Sequence, residues 1–195
     1  GVVTGVQTCA LPILTVTWQD NSTNEAGFNV ERATSGAGPF NQIAAVGENV
    51  TSYVDSNLPE ATNFCYRVNA FSSAGASPYT SVACGFTKAT LSLVKAGAGA
   101  GQITSSPTGI NCTVNCNVQL AGNSNVTLTA TAAAGSVFAG WSGACSGTGS
   151  CTLTMNSQKS VTANFTLSAA TTNSFFVRQQ YVDFLDREPD AGGFS

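Results

Sequence analysis

Apolar and polar residues alternate along most of this chain. Leu14, Val16 and Trp18 alternate with Thr15, Thr17 and Gln19, the period-two signature of a strand with one buried face. Asp20-Asn21-Ser22 and Glu25-Ala26-Gly27 mark a turn region. Phe28, Val30 and Arg32 then share one strand face. Gly36-Ala37-Gly38-Pro39 reverses the chain, and Ile43–Val46 and Ser52–Val54 read as short strands. Phe64, Tyr66, Val68 and Ala70 form one face of a longer strand, with Cys65, Arg67 and Asn69 on the other. A last strand of this group covers Val82–Phe86. Several short strands divided by turns predict a β-sandwich.

A second all-β unit follows. Leu91 and Leu93 open it. Gly97-Ala98-Gly99-Ala100-Gly101 reads as a hairpin turn before Gln102-Ile103-Thr104. A phosphate-cradling role for these glycines fails on context, because no helix and no Gly-Lys-Ser/Thr follow. Val118–Leu120, Val126–Ala130, Cys151–Met155 and Val161–Phe165 all alternate. Phe138-Ala139-Gly140-Trp141 breaks the alternation, and Trp141 reads as a core anchor. Its alternative is a sugar-stacking platform, since a flat ring face suits pyranose rings. From Asn173 the period becomes helical: Val177, Tyr181, Phe184 and Leu185 fall on one stripe.

Composition narrows the chemistry. The 195 residues carry 7 basic and 10 acidic side chains, a net charge of −3, and only 9% are charged. Such a chain is poorly suited to neutralising phosphates, so no nucleic-acid partner is expected. Histidine is absent, which removes His-based triads, His metal ligands and His general bases. The ten acids form no paired-carboxylate constellation. No catalytic, cofactor-binding or metal-binding residue is therefore expected, nor a membrane span. Seven cysteines in a Thr-, Ser-, Asn- and Gly-rich chain point to an exported protein. The five Asn-x-Ser/Thr matches carry no weight in a chain so rich in Asn and Thr.

Residues 14–87 carry a first resemblance. LTVTWQDNSTNEAGFNVER, LPEATNFCYRV and NAFSSAGASPY are similar to a bacterial fibronectin type III domain. That implies Trp18 as the buried tryptophan. It also puts Phe64 where the family's corner tyrosine usually stands, so the corner hydrogen bond is missing. Tyr66 completes the expected core. The family's first strand is absent. Cys65 and Cys84 fall opposite each other for a hairpin centred between Ala74 and Gly75, both facing away from the core. We expect a cross-strand disulfide rather than two surface thiols.

Residues 90–166 carry a second. SLVKAGAGAGQITSSPTGINCTVNC, FAGWSGACSGTGSCTLTMNSQKSVTANF and above all the FAGWSG core resemble the divergent internalin B-type repeat of bacterial surface proteins. The resemblance implies a small β-fold used as stalk, spacer or adhesive module. Cys112, Cys116, Cys145 and Cys151 could ligate zinc, but their spacings lack Cys-x-x-Cys knuckles. Local bridges Cys112–Cys116 and Cys145–Cys151 are favoured, although four cysteines allow three pairings.

The ends read differently. Val3–Ile13, VTGVQTCALPI, matches the frame-one translation of a sequencing adapter, so residues 1–13 are set aside from fold reasoning. The alternative is a genuine first strand containing Val2, Val3 and Val6. Setting the stretch aside removes Cys9 and leaves an even number of cysteines. After a linker at 167–172, FFVRQQYVDFLDREPDAGG in residues 173–195 resembles the opening of the helical domain of unknown function family 4214. Asp186, Glu188 and Asp190 mimic a calcium loop, but Pro189 interrupts it and no closing Glu follows.

The expectation is thus an all-β fragment of a bacterial secreted or cell-surface protein: a sandwich, a disulfide-stapled β repeat and a helical beginning. It would act without catalysis and without cofactors, as spacer, presentation or adhesion module. Its partners would be extracellular polysaccharide or protein. The alternatives are accessory modules of a secreted hydrolase, or a carbohydrate-binding module.

Overall fold

The computed structural model describes residues 12–21 and 23–168. Every regular element among them is a β-strand. The helix expected beyond Asn173, the calcium-like acids, Cys9 and the adapter-like stretch up to Leu11 lie outside the described residues. The chain divides into two compact units. The first takes residues up to Thr90 with Gln119–Ser124 and Met155–Gln158. The second takes Leu91–Val118, Asn125–Thr154 and the chain from Lys159 on.

In the first unit the strands are β1 (Leu14–Thr17), β2 (Gly27–Ala33), β3 (Asn41–Gly47), β4 (Ser52–Asp55), β5 (Asn63–Ser72), β6 (Gly75–Ala76) and β7 (Ala83–Phe86). β1 and β4 pair antiparallel, and a second sheet runs β3-β2-β5-β6 with β7 also on β5. This is the sandwich that the fibronectin type III resemblance implies. Its core is Phe28, Val30, Leu58, Phe64, Tyr66 and Val68, with Leu14, Val16, Trp18 and Tyr53 packed against it. The alternating strands supply one apolar face each, and burying those faces together is the main driving force. Trp18 is half-buried, with its ring 5.6 Å from that of Phe28.

The hairpin between β5 and β6 differs from the sequence expectation. Ser72 lies opposite Gly75, so the turn is centred on Ser73 and Ala74 rather than on Ala74 and Gly75. Past Ala76 the chain leaves the ladder, and β7 rejoins β5 two residues out of step with the tip, which places Cys65 opposite Cys84. Pro78 lies in the intervening stretch and has no N–H to give to a ladder. Cys65 also differs: it is fully buried, whereas Cys84 is exposed.

The remaining strands are β8 (Ala89–Ala96), β9 (Gly101–Ser106), β10 (Asn111–Cys112), β11 (Cys116–Leu120), β12 (Asn125–Ala132), β13 (Ser136–Gly143), β14 (Cys151–Thr154) and β15 (Lys159–Leu167). They form two four-stranded sheets, β10-β9-β12-β14 and β11-β8-β15-β13. β8 and β15 run parallel, which places Val161 beside Leu93. Leu91, Leu93, Ile103, Leu128, Val161 and Phe165 are almost wholly shielded from water.

One expectation fails here, for a local reason. The run Gly97–Gly101 is not a hairpin turn, because β8 and β9 belong to different sheets. It is a crossing pressed against β15. A Cβ at Gly97 would collide with the Phe165 carbonyl oxygen, and one at Gly101 with the Phe165 ring. Gly97 also holds φ at +89°, and the Gly99 N–H donates to the Phe165 carbonyl at 2.9 Å. The interruption read at Phe138–Trp141 is present and lies within β13. The register against β15 shifts between Phe138 and Gly140. Residues three apart ordinarily point to opposite faces, and the irregularity lets Phe138 and Trp141 meet at 5.0 Å.

Candidate functional site

Two clusters of charged and aromatic side chains join the strands of the first unit. On the outer face of the β2–β5 pair, Glu31 lies opposite Arg67. The Arg67 Nε–H donates to Glu31 Oε2 at 2.7 Å and its Nη2 lies 2.6 Å from the same oxygen. The Tyr79 hydroxyl donates to Glu31 Oε1 at 2.6 Å. The Arg67 guanidinium sits 3.8 Å from the Tyr79 ring centre and 4.4 Å from that of Phe40. A planar cation stacks well on aromatic faces, so the arginine is held by rings and carboxylate together. Burial works to raise the Glu31 pKa, but the hydrogen bonds from Tyr79 and Arg67 outweigh it and hold it below the ordinary value. The Glu31 hydrogen bond pushes the Tyr79 phenol up.

The second cluster faces inward. Arg32 and Tyr66 are directly paired across β2 and β5 and reach the other sheet at Asp55 of β4. Arg32 Nη1 and the Tyr66 hydroxyl each donate to Asp55 Oδ2 at 2.8 Å. Arg32 also lies over the Phe64 ring at 5.0 Å. Burial, and then the hydrogen bond to Asp55, drive the Tyr66 phenol far above its ordinary pKa. Its hydroxyl is held between the two sheets by Asp55, as a clamp. The only sequence sign of this bridge is Arg32 standing on the apolar face with Phe28 and Val30.

A third buried polar group, Thr87, was also not singled out by the sequence. Its hydroxyl donates to the Pro59 carbonyl at 2.6 Å and accepts from the Thr62 N–H at 2.9 Å. Glu60 then accepts from the backbone and hydroxyl of Thr90 at 2.9 and 2.6 Å. The residues that leave the sandwich are therefore hydrogen-bonded to its Leu58–Thr62 corner. Phe64, which has no corner hydroxyl, follows two residues after Thr62.

Trp141, read as a core anchor with a sugar-stacking face as the alternative, is covered. Trp141 is 5% exposed, and its Nε1–H donates to the Gly149 carbonyl at 2.7 Å. Phe138 leans on it and on Phe165. The indole Nε1 of Trp18 is buried and has no hydrogen-bond partner. A cleft of 280 Å³ beside Trp18 has Asn69, Ser77 and Thr80 in its wall. These groups bond to one another or to backbone: Asn69 to Asn29 and the Ser77 carbonyl, Ser77 to the Pro78 carbonyl, Thr80 to the Val68 N–H. Specific small-molecule sites offer convergent polar groups to the ligand instead.

The described cysteines are all bridged: Cys65–Cys84, Cys112–Cys116 and Cys145–Cys151, with Cα atoms 4.0, 6.3 and 5.9 Å apart. Their sulfurs are thereby taken from metal chemistry. No group of three or more His, Cys, Asp or Glu able to hold a metal occurs among the described residues. No helix among them is long and apolar enough to cross a membrane.

The chain was compared with known families, curated proteins and solved structures. Residues 94–169 match the family model of the divergent InlB B-repeat domain. The match covers the second unit's strands from within β8 to the end of β15 and includes FAGWSG. Among solved structures, the crystal structure of chicken CNTN1 FN1-FN3 domains is similar at 15% identity and a TM-score of 0.36. The similarity covers 62% of this chain and 54% of that one, so the chain spans about half of that structure's length. No curated protein matches the sequence.

Proposed function

We propose that this chain is a non-catalytic spacer and presentation module of a bacterial secreted or cell-surface protein. The observation that carries this reading is the self-satisfaction of its polar groups. Arg67, Glu31 and Tyr79 bind each other, as do Arg32, Tyr66 and Asp55. No nucleophile stands beside a base in these clusters, and neither cluster presents unfilled donors and acceptors to a ligand. What the side chains do is join strands to strands and sheet to sheet. Three disulfides add covalent closure of the kind that persists in oxidising compartments. The match to a bacterial repeat domain supports the same setting.

A retention assay on insoluble cellulose, chitin and bacterial cell-wall polysaccharide tests the reading against a carbohydrate-binding module. A spacer passes through all three. Specific retention that is lost on competition with soluble oligosaccharide would contradict it.

A further inference from the structure

We propose that the open edge of β1 pairs with the same edge of a second copy of this chain, antiparallel, through Ile13–Gln19. Four observations lead there. First, β1 is hydrogen-bonded on one side, to β4, and no strand among the described residues lies on its other side. The Trp18 N–H donates to the Thr51 carbonyl at 3.1 Å, so the backbone groups of residues 14, 16 and 18 point towards β4. Those of Ile13, Thr15, Thr17 and Gln19 therefore point outwards, because successive residues of a strand alternate.

Second, this edge lacks the devices that keep strands apart. From Ile13 to Gln19 there is no charge, no proline and no glycine. The other free edge of the same sheet, β4, ends at Asp55.

Third, the groove lies on this flank. Clefts open along Leu14–Thr17 with β7 residues Ala83–Gly85 in the opposite wall, along Val16–Gln19, and at Trp18. Residues of β4 line none of these three.

Fourth, the edge is complementary to itself. Side chains alternate with period two, so an antiparallel mate must set odd positions against odd and even against even. With Val16 opposite its own copy, Leu14 meets Trp18 and Thr15 meets Thr17. Half-buried apolar residues then stay on one face and exposed ones on the other. In that same register each outward N–H and C=O of Ile13, Thr15, Thr17 and Gln19 faces a partner. A neutral edge also meets its copy without charge repulsion, which a charged foreign segment would gain nothing from.

The test is sedimentation equilibrium of the full 195-residue chain, with two variants. Thr15→Pro removes one outward N–H and leaves the β4 ladder intact. Thr15→Lys places a charge on the exposed face beside the edge. The expected result is a concentration-dependent dimer for the parent chain, weakened by about tenfold or more in both variants, with unchanged far-ultraviolet circular dichroism. If Thr15→Pro fails to fold, Thr15→Lys alone decides. A parent chain that stays monomeric across about a hundredfold range of concentration overturns the proposal, and the edge is then covered from within the chain or left open. A dimer that withstands the folded variants overturns it as well.

Discussion

At the scale of single residues, stability rests on polar groups that would be costly if any partner were lost. Thr87 shows the asymmetry. Thr87→Val keeps the shape but strands the Thr62 N–H and the Pro59 carbonyl. A loss of about 2 kcal/mol is expected in urea unfolding. Glu31 gives the molecule a pH dependence. Its folded pKa is lower than its unfolded one, so its contribution is present above the unfolded pKa and fades as pH falls through the folded value. Melting temperature should therefore drop on acidification below about pH 4.5, the ordinary value, and Glu31→Gln should flatten that part of the curve. The same variant should lower stability at neutral pH by ~1 kcal/mol, since the pair is partly solvated. Cys65→Ala with Cys84→Ala should cost ~3 kcal/mol by the loop-entropy estimate for a bridge separated by 19 positions. Chemical denaturation of oxidised parent and double variant checks it.

At the scale of elements, the strands legible in the sequence are those where alternation is unbroken. Leu14–Trp18, Phe64–Ala70 and Val161–Phe165 are examples, because period two reports directly on one buried face. What was not legible has a specific cause each time. The irregularity in β13 shifts the period, so Phe138–Trp141 reads as an interruption although it lies within a strand. The glycines at 97–101 satisfy a close approach to β15, which no local signal reveals, and a glycine-rich run otherwise reads as a turn. Asp55 and Arg32 meet between sheets, and sequence distance hides such a pair. Cys65 and Cys84 could be matched by counting residues from the hairpin even though the turn lies one position earlier, because the chain before β7 restores the register. The crossing makes a sharp prediction. Gly97→Ala should cost ~3 kcal/mol, at the upper end of ordinary substitutions, because backbone oxygen and a positive φ both oppose a Cβ. Gly149→Ala, with open space around it, should stay within ~0.5 kcal/mol. Thermal melts of the two variants side by side distinguish a strained crossing from a permissive turn.

At the scale of the whole molecule, two all-β units each carry their own core and their own covalent closure. The first has Cys65–Cys84, and the second has Cys112–Cys116 and Cys145–Cys151. Each short loop contributes ~2 kcal/mol in the same entropy estimate, against ~5–15 kcal/mol for the net stability of a domain. Strands joined by internal polar clamps and stapled by disulfides suit the proposed spacer, which must keep its shape in an oxidising compartment. This is the central claim, and it depends on the thiols being oxidised in pairs. The most direct measurement is peptide mapping of the purified chain by mass spectrometry, alkylated without reduction. The account predicts three linked peptide pairs, joining Cys65 to Cys84, Cys112 to Cys116 and Cys145 to Cys151. Recovery of the six cysteines as alkylated thiols, or of Cys112 and Cys116 each joined to Cys145 or Cys151, would contradict it.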